Sequence, residues 1–333
     1  MSSDSEPLII ATPNGLYCPP GDFHLDPLNP VRTAVITHGH GDHLRHGSAR
    51  YIVARPGAPI AKSRLGADQE VHPVDYGSRF ELGATTVSLH PAGHILGSAQ
   101  VRIEYGGQVW VLSGDYKRQQ DPTCAPFEQL ECDVFISEAT FALPVYRWPP
   151  AAQVVQEIAQ WWRSNRERGL ASALFCYALG KSQRVLAELR AFTDEPVYVH
   201  GAVDSLVALY RRAGIQMLPT LPIPGDRKTD FRGALILAPP SAAGTPWMRR
   251  FGEHASGFCS GWMRVRGDRR RRGYDRGFVI SDHADWPALL QTCKATAARR
   301  ILLTHGHSDA LTRYLSESGM PAAALSTHFG AEE

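Results

Sequence analysis

The sequence has no long apolar segment. None of its runs approaches the roughly 18 consecutive apolar residues that a membrane-spanning helix needs. Residues 1–7 are polar and acidic, and they lack the basic start and following apolar run of a secretory signal peptide. We therefore expect no membrane partner and a cytoplasmic location.

Paired cysteines and strong charge are also lacking. The six cysteines are scattered and form no CxxC pair, which is typical of reduced, mostly buried thiols in an intracellular protein. The net charge of +2 indicates no class of partner by itself. Only one segment is strongly basic, and such a cluster can attract phosphates or form a solvated loop. Its arginines are Arg264, Arg266, Arg269, Arg270, Arg271, Arg272 and Arg276.

What the sequence does have is enough apolar residues for a sizeable core and a repeated local pattern. At 333 residues and 43% apolar composition, it fits one large domain or two smaller ones. In the first part, short β-branched strands are each followed by histidines or carboxylates, as when loops at one edge of a sheet form a site. The predicted strands are Ala34–Thr37, Thr85–Leu89, Gln108–Leu112 and Val134–Ser137.

The middle of the chain has a different pattern. After the proline-rich Leu143–Pro150, helices and strands alternate, which favours a small parallel sheet. The opening pattern then returns with strands at Phe278–Ile280 and Arg300–Leu303. The simplest explanation is one α/β metal domain, residues 1–147 and 276–333, split by an inserted α/β domain at 148–275.

The run from His38 to His43 is the most informative motif. Residues two apart on an extended or turn backbone project the same way, so His38 and His40 can grip one ion. Asp42 and His43 can then face a second ion. Two adjacent metal ions form a centre that hydrolyses phosphodiesters.

Ligands for the two ions are completed by residues far along the chain. His94 would complete the nitrogen set of the first ion, and His305 would serve the second. Asp115 is the natural bridge, because a carboxylate has two oxygens and can touch both metals.

These motifs resemble those of the metallo-β-lactamase fold, an αββα sandwich with a binuclear site. The sequences at residues 137–141, 281–285 and 304–306 are similar to motifs A, B and C of the β-CASP nucleases, which carry an inserted cap domain. The resemblance implies that the middle domain is this β-CASP α/β cap. It also implies an acidic supporting residue after the first strand, best matched by Asp26, with Asp22 as the competitor.

Other segments resemble the bacterial ligase-associated DNA exonucleases, namely residues 15–23, 177–184 and 260–263. The resemblance implies a DNA exonuclease that acts in DNA repair on single-stranded DNA. It also implies an ATP-dependent DNA ligase and a helicase as partners. Motif C favours a different substrate, because His305 stands where β-CASP enzymes acting on DNA carry an apolar residue and those acting on RNA carry His. A ribonuclease that processes RNA ends is therefore the alternative.

The chemistry of the remaining motif residues predicts their roles. His283 is the candidate general acid, because imidazole titrates near the working pH. Glu138 would hold His283, and Asp42 would act in catalysis as well as in metal binding. The mixed nitrogen and oxygen ligand set favours zinc, with manganese as the alternative. The chain is too short for the dimerising C-terminal domains of ribonuclease J relatives, so we expect a monomer.

Residues of the inserted domain are predicted to bind substrate phosphates. A helix that opens directly after a strand presents its amino end to anions, and backbone amides in tight loops do the same. The alternative is ordinary turn chemistry. The candidates are Lys181, Ser182, Ser256, Gly257 and Arg264.

Overall fold

The computed structural model describes residues 7–225, 229–265, 273–306 and 308–325. The strands in these ranges are β1 Ile10–Thr12, β2 Gly15–Cys18, β3 Phe23–Leu25, β4 Thr33–Val35, β5 Arg50–Ala54, β6 Val71–Val74, β7 Arg79–Leu82, β8 Thr85–Pro91, β9 Ala99–Tyr105, β10 Gln108–Leu112, β11 Val134–Glu138, β12 Ala171–Phe175, β13 Val197–Val199, β14 Thr220–Pro222, β15 Leu235–Ala238, β16 His254–Cys259, β17 Arg276–Phe278, β18 Arg300–Thr304 and β19 Ala322–Ala324. The α-helices are α1 Ala58–Leu65, α2 Ala151–Glu167, α3 Lys181–Glu188, α4 Gly201–Arg212, α5 Trp286–Ala295 and α6 Asp309–Glu317.

The protein is a mixed α/β chain that packs as two compact units. Unit 1 comprises the described residues of Met1–Gln120, Cys124–Pro144 and His283–Glu333, and unit 2 comprises those of Asp121–Thr123 and Val145–Asp282. No α-helix in the described ranges is long and apolar enough to cross a membrane.

Unit 1 contains two sheets. The first has the order β1-β2-β3-β4-β5-β6, and the second has the order β19-β18-β11-β10-β9-β8-β7. Strands β3 to β6 are parallel to one another, as are β10, β11, β18 and β19. The predicted ligands follow the carboxyl ends of β4, β8, β10 and β18, and Glu138 is the last residue of β11.

Three apolar clusters fill unit 1. One joins inward residues of both sheets, and the other two pack α1 on the first sheet and α5 and α6 on the second. Alternate residues of a strand enter different clusters: Ile136 lies in the shared cluster, whereas Phe135 packs with the helices. Because both faces of β11 are buried in this way, its first three residues are all apolar instead of alternating with polar ones.

Unit 2 is built on one parallel sheet with the order β14-β13-β15-β12-β16-β17. The apolar stripe of α2 is buried, including Val155, Ile158 and Trp162. Gly169 follows this helix with a φ of 71°, as expected for a helix C-terminus. The periodicity of the sequence thus predicts the elements of this region well.

The strand near residue 278 differs from the prediction. It spans Arg276–Phe278 and pairs with β16, so residues 276–282 pack with unit 2 instead of returning to unit 1. Gly277 permits this pairing, because a Cβ there would lie 2.7 Å from the Met263 sulfur. The local sequence shows an apolar strand but does not show which sheet it joins.

Candidate metal centre

The turn after β4 carries four of the predicted ligands. Hydrogen bonds from the amides of His43 and Leu44 to the carbonyl of His40, at 3.2 and 2.8 Å, close this turn. The turn brings the rings of His38 and His43 together, with 4.0 Å between their centroids. His38 and His43 are buried, and His40 and Asp42 are half-buried.

A first group of ligand atoms contains three imidazoles and one carboxylate. His40 Nδ1 lies 3.1 Å from His38 Nε2 and 3.0 Å from His94 Nε2. Asp115 Oδ2 lies 3.4 Å from His38 Nε2 and 3.8 Å from His94 Nε2. One ligand atom from each of the four residues lies within 4.8 Å of the others, so this group can hold one metal ion.

A second group shares the same carboxylate. It consists of His43, Asp115 and His305, with ligand atoms within 4.8 Å of one another. His43 Nε2 lies 3.5 Å from Asp115 Oδ2 and 3.5 Å from Asp42 Oδ2. The buried Oδ2 of Asp42 has no hydrogen-bond partner among the described residues, as is typical of an oxygen that serves a cation.

The backbone at the end of β18 is strained. His305 has a φ of 61°, a conformation that residues other than glycine rarely adopt. A Cβ at the following Gly306 would lie 2.3 Å from the Ala139 carbonyl oxygen, so only glycine fits there. Such strain is typical of functional sites, where the surrounding structure holds a side chain in place.

Asp26 lies behind the ligands. It is 2% exposed, and its Oδ2 accepts a hydrogen bond from His43 Nδ1 at 2.7 Å. The competing candidate, Asp22, is exposed and accepts a hydrogen bond from the Tyr17 hydroxyl at 3.0 Å. Of the two, the structure therefore brings only Asp26 to the histidines.

Glu138 and His283 form a buried pair beside the first group. His283 Nδ1 lies 2.9 Å from Glu138 Oε2, and the other Glu138 oxygen accepts the Tyr116 amide at 2.7 Å. The rings of His283 and His94 have centroids 4.7 Å apart. Asp115, Glu138 and His283 also have ligand-type atoms within 4.8 Å, so this trio is a third group able to hold an ion.

The electrostatics of the centre favour a cation. Burial lowers the pKa of His43, but the carboxylates of Asp115, Asp26 and Asp42 outweigh burial and raise it to about 10. The same carboxylates that draw a proton to His43 would attract a divalent ion. Nitrogen and carboxylate ligands at these positions fit zinc, with manganese also compatible.

The structure places Lys181 and Ser182 in the interior of unit 2. Lys181 is 3% exposed, and its ammonium lies 3.2 Å from Asp282 Oδ2. The Ser182 hydroxyl donates to the Tyr177 carbonyl at 2.8 Å. Both polar groups therefore have partners within the protein, and their role in phosphate binding stays a prediction.

The other three phosphate-binding candidates also lie in unit 2. The Ser256 hydroxyl and amide both donate to Asp275 Oδ2 at 2.8 Å, and Gly257 is buried. Arg264 is exposed, with its Nε 3.4 Å from the Val145 carbonyl. Of the nearby arginines predicted to attract phosphates, five lie outside the described residues: Arg266, Arg269, Arg270, Arg271 and Arg272.

The sequence analysis did not predict the roles of two buried residues, one beside the metal ligands of unit 1 and one beside Asp282 of unit 2. Thr37 lies between Asp26 and His38, and Arg184 is fully buried beside Asp282. The position of Thr37, a hydroxyl residue directly before the first histidine of the turn, could have indicated a contact with the ligands. Nothing in the sequence alone distinguishes Arg184 from an exposed helical arginine.

Comparison with known proteins gives both DNA- and RNA-related relatives. A protein of Opitutus terrae named "Probable DNA ligase" is 32% identical over 318 residues, which are 94% of this chain and 30% of that protein. "Endoribonuclease YSH1" of Yarrowia lipolytica is 29% identical over 127 residues, which are 38% of this chain and 15% of that protein. "Transcription termination factor FttA" of a Lokiarchaeum species is 29% identical over 37% of this chain and 21% of that protein.

The chain thus spans less than a third of the length of these relatives. No family model matches it. A crystal structure of a protein of unknown function from Enterococcus faecalis V583 covers 90% of this chain and 80% of its own, with a TM-score of 0.62 and 13% identity, which shows a shared fold alone. Because the relatives include proteins named endoribonuclease and a protein named DNA ligase, the resemblance to metallo-β-lactamase-fold β-CASP nucleases is confirmed.

Proposed function

From its resemblance to metallo-β-lactamase-fold β-CASP nucleases, we propose that the chain is a binuclear metal-dependent phosphodiesterase, a DNA exonuclease that acts in DNA repair. Unit 1 would be the αββα metal domain, and unit 2 would be the inserted β-CASP cap. The observation that carries the proposal is the pair of ligand groups that share Asp115. An isolated metal site would not need a carboxylate common to two sets of histidines.

Two divalent ions, zinc or else manganese, would supply a water of lowered pKa and neutralise charge on the phosphoryl oxygens. His38, His40 and His94 would hold the first ion, and Asp42, His43 and His305 the second. Asp115 would touch both, and Asp26 would support the ligands from behind. Asp42 also stands at the half-buried edge of the group, where it can orient the attacking water.

His283 is proposed to donate a proton to the leaving oxygen. Glu138 Oε2 accepts a hydrogen bond from His283 Nδ1, at 2.9 Å, which fixes the ring and leaves Nε2 to carry the transferred proton. The Tyr116 amide in turn holds Glu138, so the pair is positioned before substrate binds. Among the phosphate-binding candidates, Arg264 suits the role best because it is exposed.

DNA is the proposed substrate because the similarity to the ligase-named protein extends over 94% of the chain. An ATP-dependent DNA ligase and a helicase are the proposed partners, and the proposed form is a cytoplasmic monomer. RNA-end processing is the second candidate function. It is favoured by His305 in motif C and by relatives named endoribonucleases, which match over 38% of the chain.

A paired digestion distinguishes these functions. The zinc- or manganese-loaded protein is given single-stranded DNA and RNA of the same sequence, each labelled at the 5′ or the 3′ end, with Asp115→Ala as the control. Stepwise loss of DNA from one end, with RNA spared, is the expected result and gives the polarity. Cleavage of RNA with DNA spared would overturn the DNA assignment, and no cleavage of either would overturn the nuclease proposal.

A further inference from the structure

Thr37 lies at the centre of the hydrogen bonds behind the ligands. Its amide donates to Asp26 Oδ1 at 2.7 Å, and its hydroxyl lies 2.5 Å from Asp26 Oδ2. The same hydroxyl lies 3.1 Å from His38 Nδ1 and 3.4 Å from His43 Nδ1. Thr37 is 1% exposed, so water does not compete for these contacts.

The conformation of Thr37 is fixed on several sides. Its carbonyl accepts the Ala99 amide at 2.7 Å, which ties the residue to β9. A Cβ at Gly114 would lie 2.9 Å from the Thr37 methyl group, so this methyl packs on the residue that precedes Asp115. Because the backbone and the methyl are both held, the hydroxyl stays directed at Asp26 and His38, with His43 at a longer distance.

The direction of each hydrogen bond follows from the chemistry of the groups. A carboxylate only accepts, so the Thr37 hydroxyl uses its single proton on Asp26. Its oxygen can then only accept from His38, which requires the proton of that imidazole to be on Nδ1. His38 Nε2 is left as a lone pair, facing His40 and Asp115 in the first ligand group.

The two histidines that lie against Asp26 are therefore held differently. His43 Nδ1 bonds the carboxylate directly at 2.7 Å and lies farther from the Thr37 hydroxyl, at 3.4 Å, whereas His38 reaches the carboxylate through that hydroxyl. We propose that Thr37 is a positioning residue that sets the tautomer and orientation of His38 and so supports the first metal ion more than the second. This inference rests on the proposed binuclear function.

The test is zinc binding measured by competition with a chelator, without any assay of cleavage. Thr37→Val keeps the shape and the backbone bonds of the residue but removes the hydroxyl. Loss of such an outer partner typically weakens metal affinity about 10–100-fold. We expect this loss for one of two zinc ions, while the second ion keeps its affinity through the His43–Asp26 bond.

Two further variants sharpen the test. Thr37→Ser restores the hydroxyl and should return the weakened ion to near the wild-type affinity. Thr33→Val is the matched control, because Thr33 lies buried on the adjacent strand β4 and has no hydrogen bond to a ligand. It should bind both ions as the wild type does.

Each result has one meaning. Wild-type affinity for both ions in Thr37→Val, an equal loss of both ions, or failure of Thr37→Ser to restore binding would overturn the role of Thr37. A wild-type protein that binds no zinc or only one ion would instead overturn the proposed binuclear function, and the inference with it.

Discussion

Both units bury a cluster of ionisable side chains near the carboxyl ends of parallel strands, but the carboxylates of the two clusters have different partners. In unit 2, Arg184 Nε lies 2.8 Å from Glu188 Oε1 and 3.7 Å from Asp121 Oδ2. Its Nη1 lies 3.7 Å from Asp282 Oδ1, and Lys181 pairs with the other oxygen of Asp282. Two cations thus face three carboxylates at short range.

The ligand groups of unit 1 consist of histidines and aspartates, and the buried ammonium of Lys117 donates to the His94 carbonyl at 3.4 Å. Burial lowers the pKa of the Arg184 guanidinium in unit 2, but its carboxylate neighbours outweigh this and raise it, so the cation there is held permanently. In unit 1 the carboxylates are instead surrounded by imidazole nitrogens, which can release protons and bind metals. Carboxylates beside buried lysine and arginine already have cations as partners, whereas carboxylates among imidazole lone pairs are suited to bind a metal cation.

The largest expected effect is on metal content and nuclease activity, when the carboxylate shared by both ligand groups of unit 1 is removed. Asp115→Ala removes the one oxygen ligand common to both groups, so we expect loss of both metal ions and of all nuclease activity. Metal content by mass spectrometry and the digestion assay measure the two losses. Asp68→Ala, an exposed carboxylate, is the control. Full metal occupancy in Asp115→Ala would show that Asp115 does not bridge.

Removal of the candidate general acid should leave the metal centre intact. His283→Ala should reduce the rate about 10²–10⁴-fold, the usual contribution of a general acid. Both ions should remain bound, because the two main ligand groups do not include His283. Single-turnover rates with parallel metal analysis check this expectation. If the variant loses an ion, His283 is a ligand and not the acid.

A substitution in the charged cluster of unit 2 should change the stability of the protein and not its metal content. Arg184→Leu leaves buried carboxylates without their cation, and we expect a cost of about 3–5 kcal/mol in the free energy of unfolding. Metal content per folded molecule should not change. Urea unfolding measures the effect, and Arg313→Leu is the control, because the exposed Arg313–Glu317 pair contributes little. An unchanged midpoint in Arg184→Leu would show that this cluster is not structural.

The expected effect that is smallest for a single site is the stabilisation of unit 1 by metal. Free zinc at about 100 times its dissociation constant should stabilise the folded protein by about 2.7 kcal/mol for each site. The physical reason is that a cation offsets the carboxylates that raise the pKa of His43. Unfolding with zinc and with a chelator measures the difference. Asp115→Ala should show none, and an equal zinc effect in that variant would place the ions elsewhere.

The sequence predicts the strands and helices well because hydrophobic periodicity is a local property. The prediction of strand β10 at Gln108–Leu112 matches its observed bounds, and the predicted strand Thr85–Leu89 lies within β8. The partner of β17 could not be predicted, because pairing depends on residues distant in the chain. The burial of Lys181 was missed for the same reason, since its partner Asp282 lies a hundred residues later.

The ligand set was predictable because its chemistry requires particular residue types at particular spacings. The turn motif, His94, Asp115 and His305 are visible in the sequence alone, and the structure brings them together in two groups. Thr37 was not predicted, because threonine is common and its importance arises from three contacts made at once. Whether the two groups bind metal stays a prediction that the chelator titration tests.

By itself, the sequence determined which side chains are available for chemistry and where the strands that carry them lie. It did so because ligand type and two-residue periodicity are properties of neighbouring residues. Only the tertiary structure decided which sheet β17 joins, what Thr37 contacts and which buried charges pair with one another. Those outcomes depend on distances of a few ångströms between segments far apart in the chain, and packing alone sets such distances.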